Sequence, residues 1–535
     1  MNRGTALHRR SFIAAAATQL AMPSIGGAAE DRLLKFIPQA DVAVIDPIWT
    51  TAYVTRNHAF MVWDTLYGQT GPEDGFRATP QMVEGHVISD DNKTWVLTLR
   101  DGLLFHTGEK VLARDCVASI RRWAVRDGFG QALMQHTDEL SAPDDKTIRF
   151  RLNRPFALLP DALCHSGSFM CAMMPERIAM TDAFTQVTEI VGSGPFRFLQ
   201  NERVPGSLVA YARFEQYQPR PEGVPNWTSG PKIAHFDRVE WRVVPDAETA
   251  SAALQSGEVD WWETPDSDLI PLLRKTGGIR VAIKDPTGDC RVMRPNHLYP
   301  PFDNAAVRRA LMGAIDQNAF MTAIAGSDTS LWKTPCGFFS PGTPLASSTA
   351  ASSLPKGPPD YDKVKAALAA AGYNGEKVVL LAGVDGPARK AMSDVAADTL
   401  QRAGIDVDYQ AMDWGTVVQR RANTKPPAEG GWNLFCTGFT GLDLASPAVD
   451  LALRGNGRKA WFGWPESPTL ETLRDAWFEA PDLPAQQKIA VRMQNQAFTD
   501  VPYYPLGFAY EPVAFRSNIK DMLDGFVLFW NVRRG

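Results

Sequence analysis

A nucleophilic serine works from a Gly-x-Ser-x-Gly elbow, whose strained strand-to-helix turn exposes the hydroxyl. Gly192-Ser193-Gly194 has the residue types without that spacing. No Gly-x4-Gly-Lys-Ser/Thr loop is present to cradle phosphate, and no His-Glu-x-x-His sets two imidazoles on one helix face for zinc. The eight histidines stand at 8, 58, 86, 106, 136, 165, 235 and 297 with no i, i+4 pair, so each is read as packing or surface and not as a ligand. Cys-x-x-Cys is missing, which removes the redox motif. Asp90-Asp91 and Asp144-Asp145 sit beside Asn or Lys ahead of strand patterns, which is turn composition. Triads assemble from distant residues, so a secreted hydrolase with a cryptic triad stays as an alternative. The expectation is a protein with no catalytic residue, no metal and no cofactor.

The first thirty residues carry a different signal. Arg9 and Arg10 precede a mostly apolar run from Phe12 to Met22, broken by Thr18 and Gln19, and Gly26-Gly27-Ala28-Ala29 offers small residues to a signal peptidase. Residues 1–29 are therefore read as a signal peptide outside the fold. Arg9-Arg10-Ser11-Phe12-Ile13 resembles a twin-arginine export signal, with His8 and Ala14 departing from the usual flanks; export through the Sec channel is the alternative. No later segment supplies the roughly 20 apolar residues of a spanning helix, and the first cysteine is Cys116, so no lipidated cysteine follows the signal. The expected location is the periplasm of a Gram-negative type of envelope.

Composition narrows the partners. With the signal's three arginines removed, 52 basic side chains face 60 acidic ones, a net charge of -8. Nucleic acid and anionic membrane surfaces are bound chiefly through cationic patches, so neither is expected. The length allows two or three domains, and 44% hydrophobic residues fill their cores. Six cysteines in so long a chain are no disulfide scaffold, although an oxidising compartment permits one or two bridges.

Periodicity gives the elements that would position a site. Thr94 to Leu99 and Thr147 to Leu152 alternate as half-buried strands, with a helix from about Ala113 to Val125 between them. Asp246 is read as the cap of a helix closed by Gly257, with a strand at 258–261, and Asp303-Asn304 opens a helix bearing Val307, Leu311 and Ile315. Lys377 to Leu381, a helix from about Arg389 to Ala403, and Ile405 to Ala411 form a strand, crossover helix and strand, which implies a parallel pair. Ser340 to Pro359, rich in Pro, Ser and Gly, is a long loop.

Six segments in order then resemble one family, the extracytoplasmic solute-binding proteins, family 5, of ABC importers for peptides, nickel chelates and opines. They are Asp46-Pro47 with Tyr53 and Asp64 to Gly68; Leu99-Arg100-Asp101-Gly102 with Phe105 to Gly108 and the helix piece Val117 to Arg122; Gly192-Ser193-Gly194-Pro195-Phe196-Arg197-Phe198; Ala253 to Asp260; and Pro301-Phe302-Asp303-Asn304 followed by Val307-Arg308-Arg309-Ala310. The resemblance implies an α/β, two-lobed periplasmic binding fold with a hinge and an extra inserted lobe, the large-size type II class. By analogy 30–75, 191–288 and 506–535 form the first lobe, 76–190 the inserted lobe and 289–505 the second lobe. The implied function is capture of a peptide-like or opine-like organic solute by hinge closure, and its delivery to ABC permease subunits by a protein expected to be monomeric. A periplasmic sensor or chaperone on the same fold is a further alternative.

The same resemblance names site residues. Peptide-binding members anchor the ligand's ammonium with an aspartate two residues past the cysteine matching Cys436. Here that position is Gly438, so either Asp443 replaces it or the ligand lacks the ammonium. Trp414 and Trp432 fall where the family lines its pocket with indoles, with core packing as the alternative. Arg291 and Arg294, on a segment facing the cleft by analogy, could pair with a carboxylate or phosphate, with surface placement as the alternative. The first lobe contributes Asp46 and Tyr53, with Ser193 as either ligand contact or turn former. Cys290 and Cys436 occupy positions resembling a bridge in some oligopeptide-binding members, with buried free thiols as the alternative, and Cys164 and Cys171 could close a small loop.

Overall fold

The computed structural model describes residues 32–535, so the signal segment with Arg9 and Arg10 lies outside the described residues. Three sheets organise the chain. The first has seven strands in the order Ile279–Ile283, Pro512–Arg516, Trp261–Trp262, Leu33–Ile37, Arg238–Arg242, Leu208–Arg213 and Phe196–Phe198. Leu33–Ile37 runs parallel to both of its neighbours, and Pro512–Arg516 is antiparallel to both of its own. Beneath this sheet the Phe36 ring meets Trp241, Trp261 and Phe529 at 5.0–5.4 Å between centroids, in edge-on contacts. Such contacts add to the area that the rings bury.

The second sheet has six strands in the order Trp332–Lys333, Tyr504–Ala509, Asp289–Pro295, Leu434–Thr440, Val378–Gly383 and Val407–Met412. Its parallel pair is the one the sequence implies, with Val378 opposite Val407 and the helix Pro387–Arg402 crossing between them. The expected strand start at Ile405 moves to Val407. Gly404 ends the helix in a left-handed turn, and Ile405 buries its side chain in the core on the way out. The strand Tyr504–Ala509 crosses the expected boundary at 505/506 and belongs wholly to this sheet. A four-stranded antiparallel sheet, ordered Val83–Ile88, Thr94–Leu99, Thr147–Leu152 and Thr137–Ser141, carries the helix Ala113–Arg126.

The chain passes between the two large sheets through residues 284–288 and 510–511, each a short link between strands of different sheets. Near the C-terminus, Arg534 donates to both oxygens of Asp260 at 2.9 and 3.1 Å and to the carbonyl of Leu33 at 2.8 Å, tying the end of the chain to two distant stretches at the first sheet. The local signals follow the rules that predicted them. Asp246 accepts from Thr249 N at 2.7 Å and Asn304 from Ala306 N at 2.9 Å as helix caps, and Gly257 ends its helix at φ 83°. The strand expected at 258–261 is displaced to Trp261–Trp262, because Asp260 turns inward to receive Lys35 N and Arg534. Asp91 and Asp144 each accept backbone N–H groups two or three residues on, as turn formers do.

The Cys290–Cys436 pairing is overturned. On adjacent antiparallel strands Cys290 lies opposite Phe439, while Cys436 lies opposite Met293. The two are therefore three rows apart, about 10 Å at the strand rise, beyond the reach of a disulfide. They also enter different cores, Cys290 with Val292 and Phe439, Cys436 with Met293 and Leu434. All six cysteines are free and buried.

Candidate functional site

Several expected site residues serve the scaffold instead. Asp46 is fully buried in a two-oxygen ion pair with Arg122 at 2.7 and 3.1 Å and also accepts from Val187 N, which leaves nothing for a ligand. Ser193 donates to Met173 O and accepts from Asp64 N, both at 3.1 Å. Its flanking glycines explain the motif: a Cβ at Gly192 would stand 1.8 Å from Val62 O, so only glycine lets this turn close on the end of the helix Tyr53–Val62. Arg294 is 0% exposed and spends its guanidinium on the carbonyls of Ala452, Phe462, Pro502 and Trp461 at 2.7–3.3 Å. Burial pushes it down to about 9. Trp432 is core, packed on Phe435 and Trp464.

Two of the remaining candidates, Tyr53 and Asp443, meet at the end of the strand Leu434–Thr440. Tyr53, the first residue of its helix, donates its hydroxyl to Asp443 Oδ2 at 2.6 Å and accepts from Thr440 N at 2.8 Å. Asp443 also receives Ser168 Oγ at 2.8 Å and Ser168 N at 3.1 Å. Residues from the segments around 53, 168 and 443 thus share one carboxylate. Three of its roughly four lone-pair directions are taken and one is open. Gly167 permits the approach, since a Cβ there would lie 2.3 Å from Asp443 Oδ1. Burial, reinforced by the charge on Asp443, holds the Tyr53 phenol well above its ordinary value, so it remains a donor.

Gly438 is explained by what faces it. Arg291 is its cross-strand partner, and a Cβ on Gly438 would fall 2.7 Å from Arg291 Nη1. The guanidinium fills the space beside the position where the family places its aspartate, and it pairs with Glu511 at the link between sheets. Around that link Glu263 and Asp289 are each pushed up to about 7, Glu263 by burial and Asp289 by burial and the charge on Glu511. Arg56 lies over the rings of Phe526 and Tyr53 at 4.1 and 4.8 Å and hydrogen-bonds Asn57 Oδ1 at 3.2–3.3 Å.

Arg421 was missed by sequence reasoning. It follows the helix Trp414–Arg420, which Asp413 caps through Thr416 N at 2.9 Å. Its guanidinium lies over Phe462, Trp461 and Trp414 at 4.7, 5.2 and 5.9 Å. The residue is 8% exposed, and among the described residues its guanidinium has no hydrogen bond and no ion pair. Burial alone pushes it down to about 10. Trp414, half-buried, thus stands in the site as one wall of an aromatic cage around a cation without a counter-ion. The Trp461 ring also meets Phe439 at 5.2 Å, and Phe439 precedes Thr440, whose N–H binds Tyr53. A continuous strip therefore runs from the Asp443 carboxylate across Phe439 and Trp461 to Arg421. Arg421 left no sequence signal because an arginine beside Arg420 reads as an ordinary helix end.

Comparison with known proteins agrees with this architecture. Residues 77–448 match the family model for the bacterial extracellular solute-binding proteins, family 5 Middle. A "probable peptide ABC transporter periplasmic-binding protein" of Sinorhizobium fredii is 34% identical over 535 residues, 97% of each chain. The glutathione-binding protein of Escherichia coli is 26% identical over 444 residues, covering 81% of this chain and 80% of that one. In structure, the periplasmic binding protein AgaA of A. tumefaciens R10 in complex with agropinic acid superposes with a TM-score of 0.78 at 20% identity, over 94% of this chain and 99% of its own. The Helicobacter pylori periplasmic binding protein DppA in complex with the peptide STSA gives 0.76 at 21%, over 94% and 98%. The fold is that of the two-lobed periplasmic binding proteins. The chain belongs to the bacterial extracellular solute-binding proteins of family 5, and its role is to bind a solute for an ABC transporter.

Proposed function

We propose that the solute is a zwitterionic amino-acid conjugate, of the peptide or opine kind, held by its ammonium at Asp443 and Tyr53 and by a carboxylate at Arg421. The observation that carries this reading is Arg421, a buried cation in an aromatic cage with no anion supplied by the described residues. Burying an unpaired charge is unfavourable, and a ligand carboxylate would relieve it. Trp461 and Phe439 offer apolar area between the two poles. The relatives named for peptide and glutathione, and the structural neighbour with agropinic acid, support the class.

On this reading the links 284–288 and 510–511 act as a hinge between a first lobe built on the seven-stranded sheet and a second lobe built on the six-stranded one, with the four-stranded sheet as the inserted lobe. Contacts made from both sides favour the closed, liganded form that the permease recognises. The protein acts as a monomer in the periplasm after removal of the twin-arginine type signal at 1–29. The hydrolase alternative has little to stand on, since among the described residues no serine, threonine or cysteine side chain is hydrogen-bonded to a histidine.

The test is native mass spectrometry of protein from its own periplasm, with gentle denaturation to release and weigh the bound molecule. One solute per chain bearing both an amine and a carboxylate supports the reading. A solute lacking a carboxylate overturns it, and so does an empty protein with no thermal shift against peptides, glutathione and opines.

A further inference from the structure

The second sheet brings together two cysteines that the sequence leaves 46 positions apart. Cys290, on Asp289–Pro295, lies opposite Phe508 of the strand Tyr504–Ala509. The other edge of that same strand pairs with Trp332–Lys333, with Lys333 also opposite Phe508, and Cys336 follows three residues later. Gln317 then fixes Cys336 in place: its Oε1 accepts from Cys336 N at 2.8 Å, and its Nε2 donates to Cys336 O at 2.9 Å and to Pro505 O at 2.8 Å. Pro505 is the cross-strand partner of Val292, two residues from Cys290. Cys290, Val292 and Cys336 enter one core cluster, both cysteines 2% exposed, and the neighbouring Cys336 thiol together with burial holds the Cys290 thiol well above its ordinary value.

We propose that Cys290 and Cys336 form a disulfide in the exported protein, in place of the pairing with Cys436 that the strand register forbids. Formation breaks two S–H bonds and makes one S–S bond. The two electrons and two protons pass to a small disulfide oxidant of the extracytoplasmic compartment, which reaches the pair through local opening of the two-residue edge strand and is reduced to its thiols. A bridge from the sheet's third strand to the segment after its edge strand would clip Trp332–Lys333, a strand of only two residues, onto the sheet.

The test uses full-length protein taken from the periplasm without reductant, denatured, alkylated and weighed intact. Four modified cysteines, with a peptide cross-link joining the fragments that carry 290 and 336, are expected, rising to six after reduction. The Cys336→Ser and Cys290→Ser variants should each show five. Reductant should lower the melting temperature of the unsubstituted protein by roughly 3–5 °C and leave that of Cys336→Ser unmoved. Six modified cysteines without reductant would overturn the proposal. So would four with the cross-link elsewhere, for instance between Cys116 and Cys171. The count on the unsubstituted protein stands even if a variant folds poorly, and it is independent of which solute the site takes.

Discussion

Replacing Arg421 by methionine should make the empty protein more stable and the binding protein nearly useless. The push to about 10 by burial corresponds to about 3 kcal/mol of lost hydration at about 1.4 kcal/mol per tenfold change. The three ring faces at 4.7–5.9 Å return about 0.5–1 kcal/mol each, so the charge remains unfavourable by about 1 kcal/mol. Methionine keeps apolar and sulfur contacts with the same rings. The urea midpoint of the solute-free protein should therefore rise, with an unchanged slope, by an amount equivalent to about 1 kcal/mol. A solute carboxylate left without its partner should lose about 2–5 kcal/mol, or roughly 30- to several thousand-fold in affinity by calorimetry. A variant that binds as well as the original, or whose empty form is destabilised by more than the three ring contacts are worth, would show that Arg421 is structural.

Further expectations concern the frame. Gly167→Ala drives a methyl to 2.3 Å from Asp443 Oδ1 and should break both Ser168 contacts, with a loss of about 2–4 kcal/mol in urea stability and weaker solute binding; an unchanged midpoint would mean the segment yields freely. His58, buried beside Tyr211 and pushed down to about 3 by burial, is neutral when folded and protonates first when unfolded. Its contribution is thus present above pH 6.5 and is lost as pH falls toward 3, by up to about 1.4 kcal/mol per pH unit. His58→Gln should flatten the acid limb of a stability–pH curve, and an unaltered limb would reject this account. Asp450 has the opposite sign. Burial pushes it up to about 7, and its Oδ2 is buried with no partner, so the folded form holds the proton longer and stability falls as pH rises from about 4 to 7. Asp450→Asn should remove that decline and gain about 2–4 kcal/mol at pH 8; a variant weaker than the original at pH 8 would show that the charge is satisfied by Arg474 and Arg294.

Local chemistry was legible in the sequence, and distant convergence was not. Caps at Asp246 and Asn304, the parallel pair at 378 and 407, and the turn aspartates follow rules that act within a few residues. The order of six motifs carried the family, and one of them, at Gly192, marks a place where backbone meets backbone, against Val62. Asp46, Ser193 and Arg294 misled for the same reason: a polar residue at a strongly constrained position is more often holding the frame than waiting for a ligand. Tyr53 and Asp443 were picked separately from positions 390 residues apart, and only the folded chain shows them sharing a proton. Arg421 could not be singled out from sequence, since its role depends on Trp461 and Phe462, which lie forty residues downstream and carry no local pattern.

The first sheet also has a temporal consequence. Pro512–Arg516 sits between Trp261–Trp262 and Ile279–Ile283, and Arg534 binds Asp260 and Leu33. A ribosome that has made the first five hundred residues has therefore produced a sheet with two raw strand edges facing an empty slot, surfaces that invite wrong partners. Folding of this half is gated by the last few dozen residues to be synthesised. If the chain leaves through a translocase that accepts only folded cargo, filling that slot works as a checkpoint, and a molecule cut short before Pro512 would be held back on the inner side.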